Sequence, residues 1–265
     1  MSGPSQPGHT KPERTAMPLT YAIGDVHGRR NLLQALLQAI RTDSAGREAR
    51  IIFLGDIIDR GPESRQCLDL VIATLDSYPG SRLILGNHEE FLLSFLDAET
   101  PEQRNSVASR WLSNGGTETL QSYGIDETGD RETIARHLQG AWSAHIDALR
   151  AADWMVETKH HAFVHGGIDP HFGLGDQDPV TTRWIRDRFL DHKAALPKIV
   201  VHGHTVTESA LPELHSNRLA LDTGAVLTGH LTCAVFENDE PARFLATDDH
   251  GAQIEVGEVR PLDCR

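Results

Sequence analysis

The sequence predicts an α/β fold in which strands alternate with helices and a further sheet packs on the first. Three observations lead there. Short apolar runs end in glycine-bearing loop motifs, amphipathic helical segments separate the first of these runs, and the last third of the 265-residue chain reads as strands joined by turns. The first strand, LTYAIG, begins at Leu19 and runs into GDVHG at 24–28. Asn31 opens a helix whose apolar residues Leu32, Leu33, Leu36, Leu37 and Ile40 share one face. IIFLG (51–55) is a strand-length apolar run ending at GDIIDRG (55–61), and Ser64–Asp76 forms the next helix on Cys67, Leu68, Val71, Ile72 and Leu75. RLILG (82–86) then delivers GNHE (86–89). Strand, loop, helix and strand again is the pattern of parallel βαβ units.

From Glu89 to about Thr158 the character is helical, with Ile134, Leu138, Trp142, Ile146 and Leu149 at spacings of three and four and turns at SNGG (113–116) and SYG (122–124). Such a block is either a lid over the site or plain packing. HAFVHGG (161–167) and KIVVHGH (198–204) are further strands ending in His-Gly. LALDTG, HLTCAVFE, ARFLAT and QIEV suggest a second, more antiparallel sheet. Residues 1–18, rich in Pro, Gly, Ser and Thr and lacking an apolar core, read as a disordered leader, and Met17 offers an alternative start. Residues 19–265 then form one domain carrying a helical insertion at about 89–158.

A net charge of −13 argues against a broad nucleic-acid surface, and no apolar stretch reaches the roughly 20 residues of a membrane span. A phosphate-bearing substrate would have to be drawn in locally, by metal ions and placed arginines. Cys67, Cys233 and Cys264 are odd in number and far apart, which fits a reducing cytoplasm better than a disulfide framework.

The five loop motifs, GDVHG, GDIIDRG, GNHE, VHGG (164–167) and HGHT (202–205), place Asp, His and Asn at strand ends, where sites form in open α/β sheets. Carboxylate, imidazole and amide oxygen without thiolate suit hard-to-borderline divalent ions. Asp25 and His27 are assigned to one ion, Asn87, His165 and His204 to a second, and Asp56 bridges both. Gly24 and Gly28 let the backbone approach an ion closely. A dinuclear pair of this kind clamps a phosphoryl group and provides a metal-bridging hydroxide for direct in-line attack. His88, beside Asn87, is positioned as general acid; Asp59 would fix its tautomer, and Arg60 with one arginine of WIRDRF (184–189) would bind phosphate oxygens.

These motifs resemble, in order, those of the PPP branch of the calcineurin-like metallophosphoesterases, above all bacterial and phage-type serine/threonine protein phosphatases, with diadenosine tetraphosphate hydrolases as near relatives. The resemblance runs from about residue 19 to 235 and includes WLSNGG, WIRDRF and LDTGAV. It implies a β-sandwich of two mixed sheets flanked by helices, two metal ions (usually Mn²⁺, sometimes Fe or Zn) and single-step hydrolysis. By the same likeness Asp25, His27, Asp56, Asn87, His165 and His204 are metal ligands, Asp59, Arg60 and His88 serve phosphate binding and acid catalysis, and Arg186 matches the second phosphate-binding arginine. Two departures stand out. Leu85 occupies the place of the arginine in the RGNHE of eukaryotic and phage relatives, and Val206 stands where more distant metallophosphoesterases carry a second His.

Several polar residues have plainer readings. Arg183 and Arg188 compete with Arg186, and each could serve a surface ion pair instead. His202 reads as a satisfied core residue sharing a strand face with His204. Asp222 either orients a ligand His or makes an Asx-turn. His160 and His161 read as surface residues, Trp111 and Trp142 as core, and Asp248–Asp249 as a solvated loop. For the substrate, the sparse aromatics and mixed charge of the helical block favour phosphoserine and phosphothreonine in proteins, or small phosphoesters, over symmetrical hydrolysis of a dinucleoside tetraphosphate. A catalytically dead binding module would lack a ligand or the acid, and none is missing.

Overall fold

The computed structural model describes residues 18–251 and 253–265, so the expected leader, apart from Pro18, lies outside the described residues. The elements follow in chain order. β1 (Leu19–Ile23), α1 (Arg30–Ser44), β2 (Ala49–Phe53), α2 (Ser64–Ser77) and β3 (Arg82–Leu83) make the expected βαβ units. Five helices come next: α3 (Asn87–Asp97), α4 (Pro101–Trp111), α5 (Thr117–Ser122), α6 (Arg131–Ala141) and α7 (Ser143–Arg150). β4 (Val156–Glu157), β5 (His161–Phe163), α8 (Pro179–Trp184), α9 (Asp187–Leu190), β6 (Ile199–His202), β7 (Glu213–Leu214) and β8 (Arg218–Ala220) follow. The chain closes with α10 (Ala225–Thr228), β9 (Thr232–Glu237), β10 (Glu240–Asp249), β11 (Ile254–Val259) and β12 (Leu262–Asp263).

Two mixed six-stranded sheets result, ordered β11-β10-β9-β1-β2-β3 and β12-β7-β8-β6-β5-β4. Of the C-terminal strands, β7, β8 and β12 join the second sheet, but β9, β10 and β11 do not. β9 pairs antiparallel with β1, and β10 and β11 continue outward from it, so they complete the first sheet. The second sheet has a parallel centre, β5-β6-β8, in which β5 and β6 carry the His-Gly motifs.

Period-two alternation explains why the strands are apolar on both sides. Tyr21, Ile23, Ile51 and Phe53 face the helices that carry Leu32, Leu36 and Val71. Ala22, Ile52 and Leu54 face Phe163, Val201, Leu219 and Leu221 of the second sheet. α1 presents Leu32, Leu33, Leu36 and Ile40 to the core as expected, and Trp111 is fully buried among these helices. No helix among the described residues is long and apolar enough to cross a membrane.

Phe163 packs edge-on against Phe236 at 5.4 Å in the layer between the sheets. Phe163→Ala removes a fully buried ring from a layer bounded by rigid strands. It should lower unfolding free energy by about 3–5 kcal/mol in urea titrations.

Candidate metal centre

The loops after β1, β2, β5 and β6, together with the first turn of α3, meet at one end of the two sheets. Their backbones are strained there. Nine non-glycine residues among those described have positive φ, and five are His27, Asp56, Asp59, Arg60 and His204. Such conformations cost about 1–3 kcal/mol each and persist only where neighbours over-determine them.

The neighbour that holds the second motif is Glu89. Its carboxylate, fully buried, accepts the N–H groups of Asp56 (2.9 Å), Ile57 (2.7 Å), Ile58 (3.2 Å) and Gly86 (3.0 Å). The Asp56 side chain is thereby aimed away from the sheet. Its Oδ1 lies 3.3 Å from His165 Nε2, and its Oδ2 lies 3.5 Å from His27 Nε2 and 3.8 Å from His88 Nε2. His27, Asp56 and His88 offer ligand atoms within 4.8 Å of one another, and so do Asp56, His165 and His204. One carboxylate is thus common to two donor groups, the placement anticipated for Asp56.

Hydrogen bonds fix the imidazoles that surround it. Nδ1 of His27 donates to the Ile58 carbonyl at 2.9 Å, and Nδ1 of His165 donates to the Leu54 carbonyl at 2.8 Å. Each ring therefore turns Nε2 inward, the arrangement in which histidine ligates a metal. Asn87 Oδ1 lies 2.9 Å from His165 Nε2. Nε2 of His204 is buried with no hydrogen-bond partner among the described residues, a costly position for a lone pair unless something accepts it. Asp25 belongs to neither close group. Its oxygens accept the His204 N–H at 3.1 and 3.2 Å, beside Gly28, whose φ of 64° lets the loop pass the Gly61 backbone.

The electrostatics match. Burial, then the charges of Asp222 and Asp56, push the Asp25 carboxyl well above its ordinary value. Burial drives His27 down to about 3 and His204 down to about 2, leaving both rings neutral, with the Nε2 lone pair of His204 free and that of His27 facing Arg60. At His165 burial opposes the charged form, but the Asp56 carboxylate outweighs it and raises the pKa. Buried carboxylates crowded together, inward imidazole nitrogens and an orphaned lone pair are what a divalent-cation site requires.

On the other side of Asp56, His88 Nδ1 donates to Asp59 Oδ2 at 2.7 Å. Asp59 is clamped by the helical block: Trp111 Nε1 donates at 3.0 Å and Thr119 Oγ1 at 2.6 Å. At His88, too, burial acts against the imidazolium and the Asp56 and Asp59 carboxylates prevail, so its pKa is raised. The SNGG turn completes the clamp. The Gly115 carbonyl accepts the Arg60 N–H at 3.0 Å, and a Cβ on Gly115, at φ 104°, would lie 2.5 Å from that nitrogen.

The three competing arginines separate cleanly. Arg183 pairs with Glu90 at 2.6 Å and Arg188 with Asp169 at 2.6 Å. Arg186 is exposed, has no ion pair among the described residues, and its charge reaches His204. Arg60 is likewise exposed and free of carboxylates, with Nη1 donating to His27 Nε2 at 2.8 Å.

The calcineurin-like phosphoesterase family profile matches residues 19–233. The chain belongs to that family. Among relatives, a symmetrical bis(5′-nucleosyl)-tetraphosphatase of Chromohalobacter salexigens is 41% identical over 157 residues, 58% of this chain and 47% of that protein. Serine/threonine-protein phosphatase 1 of Salmonella typhimurium is 28% identical over 223 residues, 81% of this chain and 90% of that protein. This chain spans about half the length of several tetraphosphatase relatives, 45% for that of Janthinobacterium. A structure provisionally assigned as a diadenosine tetraphosphatase superposes with TM-score 0.55 at 19% identity over 94% of this chain and 96% of its own. The cold-active protein-tyrosine phosphatase of a psychrophilic Shewanella does so with TM-score 0.55 at 18% identity over 91% and 80%.

Within this family member, some sequence expectations are corrected. His161 is buried, with Nδ1 3.4 Å from Asp239, not on the surface. Asp249 binds Arg29 rather than lying in a solvated loop. His202 is buried as expected, its ring against Phe189 at 5.1 Å, whereas the ring of His204 packs against His165 at 5.0 Å. Asp222 caps its own turn through the Gly224 N–H at 3.0 Å, the Asx-turn reading. Glu89 and Thr119 were not singled out from sequence, and Trp111 was read only as core. The one available signal was that Glu89 and Trp111 sit inside the motifs GNHE and WLSNGG.

Glu89→Gln sets an amide NH₂ against two of four converging N–H groups. It should destabilise the fold by about 2–4 kcal/mol in denaturant titrations and weaken metal retention in dialysis. Trp111→Phe keeps the packing and removes one donor from Asp59. kcat should fall about tenfold while metal content, read by atomic emission, stays at the wild-type level.

Proposed function

We propose that this protein is a dinuclear-metal phosphatase acting on phosphomonoesters, chiefly phosphoserine and phosphothreonine in proteins. The observation that carries the reaction type is the Asp56 carboxylate, with His165 and His204 close on one side and His27 3.5 Å away on the other, next to the Asp59-bound imidazole of His88. Asp25 and His27 would hold one cation, Asn87, His165 and His204 the other, and Asp56 both. The thiolate-free donor set suits Mn²⁺, with Fe or Zn as other occupants. When bound, such a pair supplies Lewis-acid polarisation of the phosphoryl group and a water of lowered pKa.

The chain's own residues do the rest. His88 holds a proton at Nε2 for the leaving oxygen, and Asp59 keeps Nδ1 protonated and steadies the imidazolium. Arg60 and Arg186, unpaired and exposed at the mouth, take the non-reacting phosphate oxygens through their planar forks. Leu85 supplies no third arginine, so these two must suffice. The three free cysteines support a reducing, cytoplasmic setting.

Support for a protein substrate comes from the Salmonella phosphatase, matched over most of both chains, and from the helical segment, none of whose aromatic residues is exposed. One observation favours a second reading, symmetrical cleavage of dinucleoside tetraphosphates. Trp184 is 38% exposed, lies edge-on 6.3 Å from His204, and lines a shallow cavity with Val180, Ile185 and Arg188. An exposed indole beside a phosphate site can stack a nucleobase, and tetraphosphatases recur among the relatives.

His88→Asn should lower kcat on p-nitrophenyl phosphate by about 10²–10⁴-fold with metal content unchanged; loss of metal would instead make His88 a ligand. A phosphopeptide and diadenosine tetraphosphate, assayed with one Mn²⁺-loaded preparation, should differ in kcat/KM by at least about tenfold in favour of the peptide. The reverse preference establishes the tetraphosphatase reading, and no turnover on either defeats both.

A further inference from the structure

On the outer face of the second sheet, away from the inter-sheet core, a cavity of about 210 Å³ is lined by His202, Thr205, Thr207 and Arg218, with the carboxylates Glu208 and Glu213 among the other lining groups. Its walls come from the ends of β6 and β8 and from the chain leaving His204. Five buried polar atoms of these residues have no hydrogen-bond partner among the described residues: Nε2 of His202, the hydroxyls of Thr205 and Thr207, and Nε and Nη1 of Arg218. Orphaned groups of this kind are uncommon singly in folded proteins, and five around one cavity point to a ligand.

The chemistry of the five is specific. Arg218 is only 6% exposed and makes no ion pair within 4 Å among the described residues. The carboxylates of Glu213 and Asp191 act on it only at longer range, and burial presses its pKa down. Water can satisfy hydrogen bonds in such a cavity but leaves the buried charge without a counter-ion. The two guanidinium nitrogens and the two hydroxyls can all donate to an oxyanion. His202 adds the opposite capacity. Its Nδ1 lies 3.0 Å from the Gly203 carbonyl, which only accepts, so Nδ1 carries the proton and Nε2 is an acceptor. Four donors and one acceptor match an oxyanion that retains one O–H. The Glu213 carboxylate at the edge is occupied by His215 at 3.1 Å and Ser209 at 3.2 Å.

We infer that this cavity is a second phosphate site, binding inorganic hydrogen phosphate through Arg218, Thr205 and Thr207 with its P–OH donated to His202. It lies behind the metal centre, with His202 and Thr205 on either side of His204 in the chain, and does not depend on which phosphoester is hydrolysed there. Sulfate has the same shape but no O–H at neutral pH, so it leaves the His202 acceptor unmet and binds more weakly.

Equilibrium dialysis of the Mn²⁺-loaded protein with radiolabelled phosphate should show two equivalents per chain, and crystals soaked in phosphate should show a tetrahedral anion in the cavity. Arg218→Gln should remove one equivalent and Thr207→Val should weaken it about tenfold, both leaving p-nitrophenyl phosphate turnover unchanged. Thr207→Val, the smaller change, serves if the arginine variant does not fold. One equivalent in the wild type, or water alone in the cavity at saturating phosphate, overturns the proposal. Equal affinity for sulfate overturns the role given to His202.

Discussion

Four amide hydrogens converging on the Glu89 carboxylate are the constraint on which the centre depends. The chain leaving β2 must place Asp56, Asp59 and Arg60 within five residues, all at positive φ, and each such conformation is unfavourable for a side-chain-bearing residue. No local propensity holds that loop. Glu89 takes the amides of Asp56, Ile57 and Ile58. Ser64 and Thr119 take that of Asp59, and Gly115 takes that of Arg60. Every strained residue in the loop is thus tied by its own N–H to a group elsewhere in the chain. Strain and hydrogen bonding are two sides of one device, since the unusual backbone turns Asp56 toward both donor groups at once.

The charges gathered by this device are mutually unfavourable until cations join them. Asp25, Asp56 and Asp222 are buried near one another, and each of the last two raises the Asp25 carboxyl. The histidines divide accordingly. His27 and His204, where burial dominates, are held neutral, and at His27 the charges of His88 and Arg60 add to it; His165, bonded to Asp56, and His88, which has Asp59 as well as Asp56, are held toward protonation. For His165 a proton and a cation would compete for the same Nε2, because both are drawn by the same carboxylate. Metal uptake at such a site releases protons and strengthens as pH rises.

Much of the site was legible in the sequence because its chemistry is local. A strand end followed by Gly-Asp-x-His-Gly shows at once the donor types and the tight turn that presents them. His27, Asp56, His88, His165 and His204 gather in two close groups and Asn87 touches His165, whereas Asp25 stands outside both, against the His204 N–H. What stayed hidden depends on contacts 30 to 80 residues away. Nothing near Trp111 reveals that its indole points at Asp59, 52 positions earlier. His161 looks like a polar strand start until Asp239, 78 positions on, is seen beneath it. The C-terminal strands are hidden for another reason: alternation tells which face of a strand is buried but not which neighbour it pairs with, so β9 to β11 cannot be assigned to the first sheet from sequence. Choice among Arg183, Arg186 and Arg188 likewise turned on partners, Glu90 and Asp169, that spacing does not display.

The helical block resolves into something other than a lid or inert packing. Trp111, Thr119 and Gly115 bond to Asp59 and Arg60, so the block forms a wall behind the loop after β2 and fixes the carboxylate bonded to His88. A wall bonded to the catalytic loop cannot swing away without releasing Asp59, which makes it a poor gate. Access must therefore be set from the opposite side, where Trp184 and Arg186 stand exposed and the chain between β5 and β6 is held by its own ion pair, Arg188 with Asp169. Relatives that share the motifs but differ in that stretch would keep the same hydrolytic centre and change what reaches it.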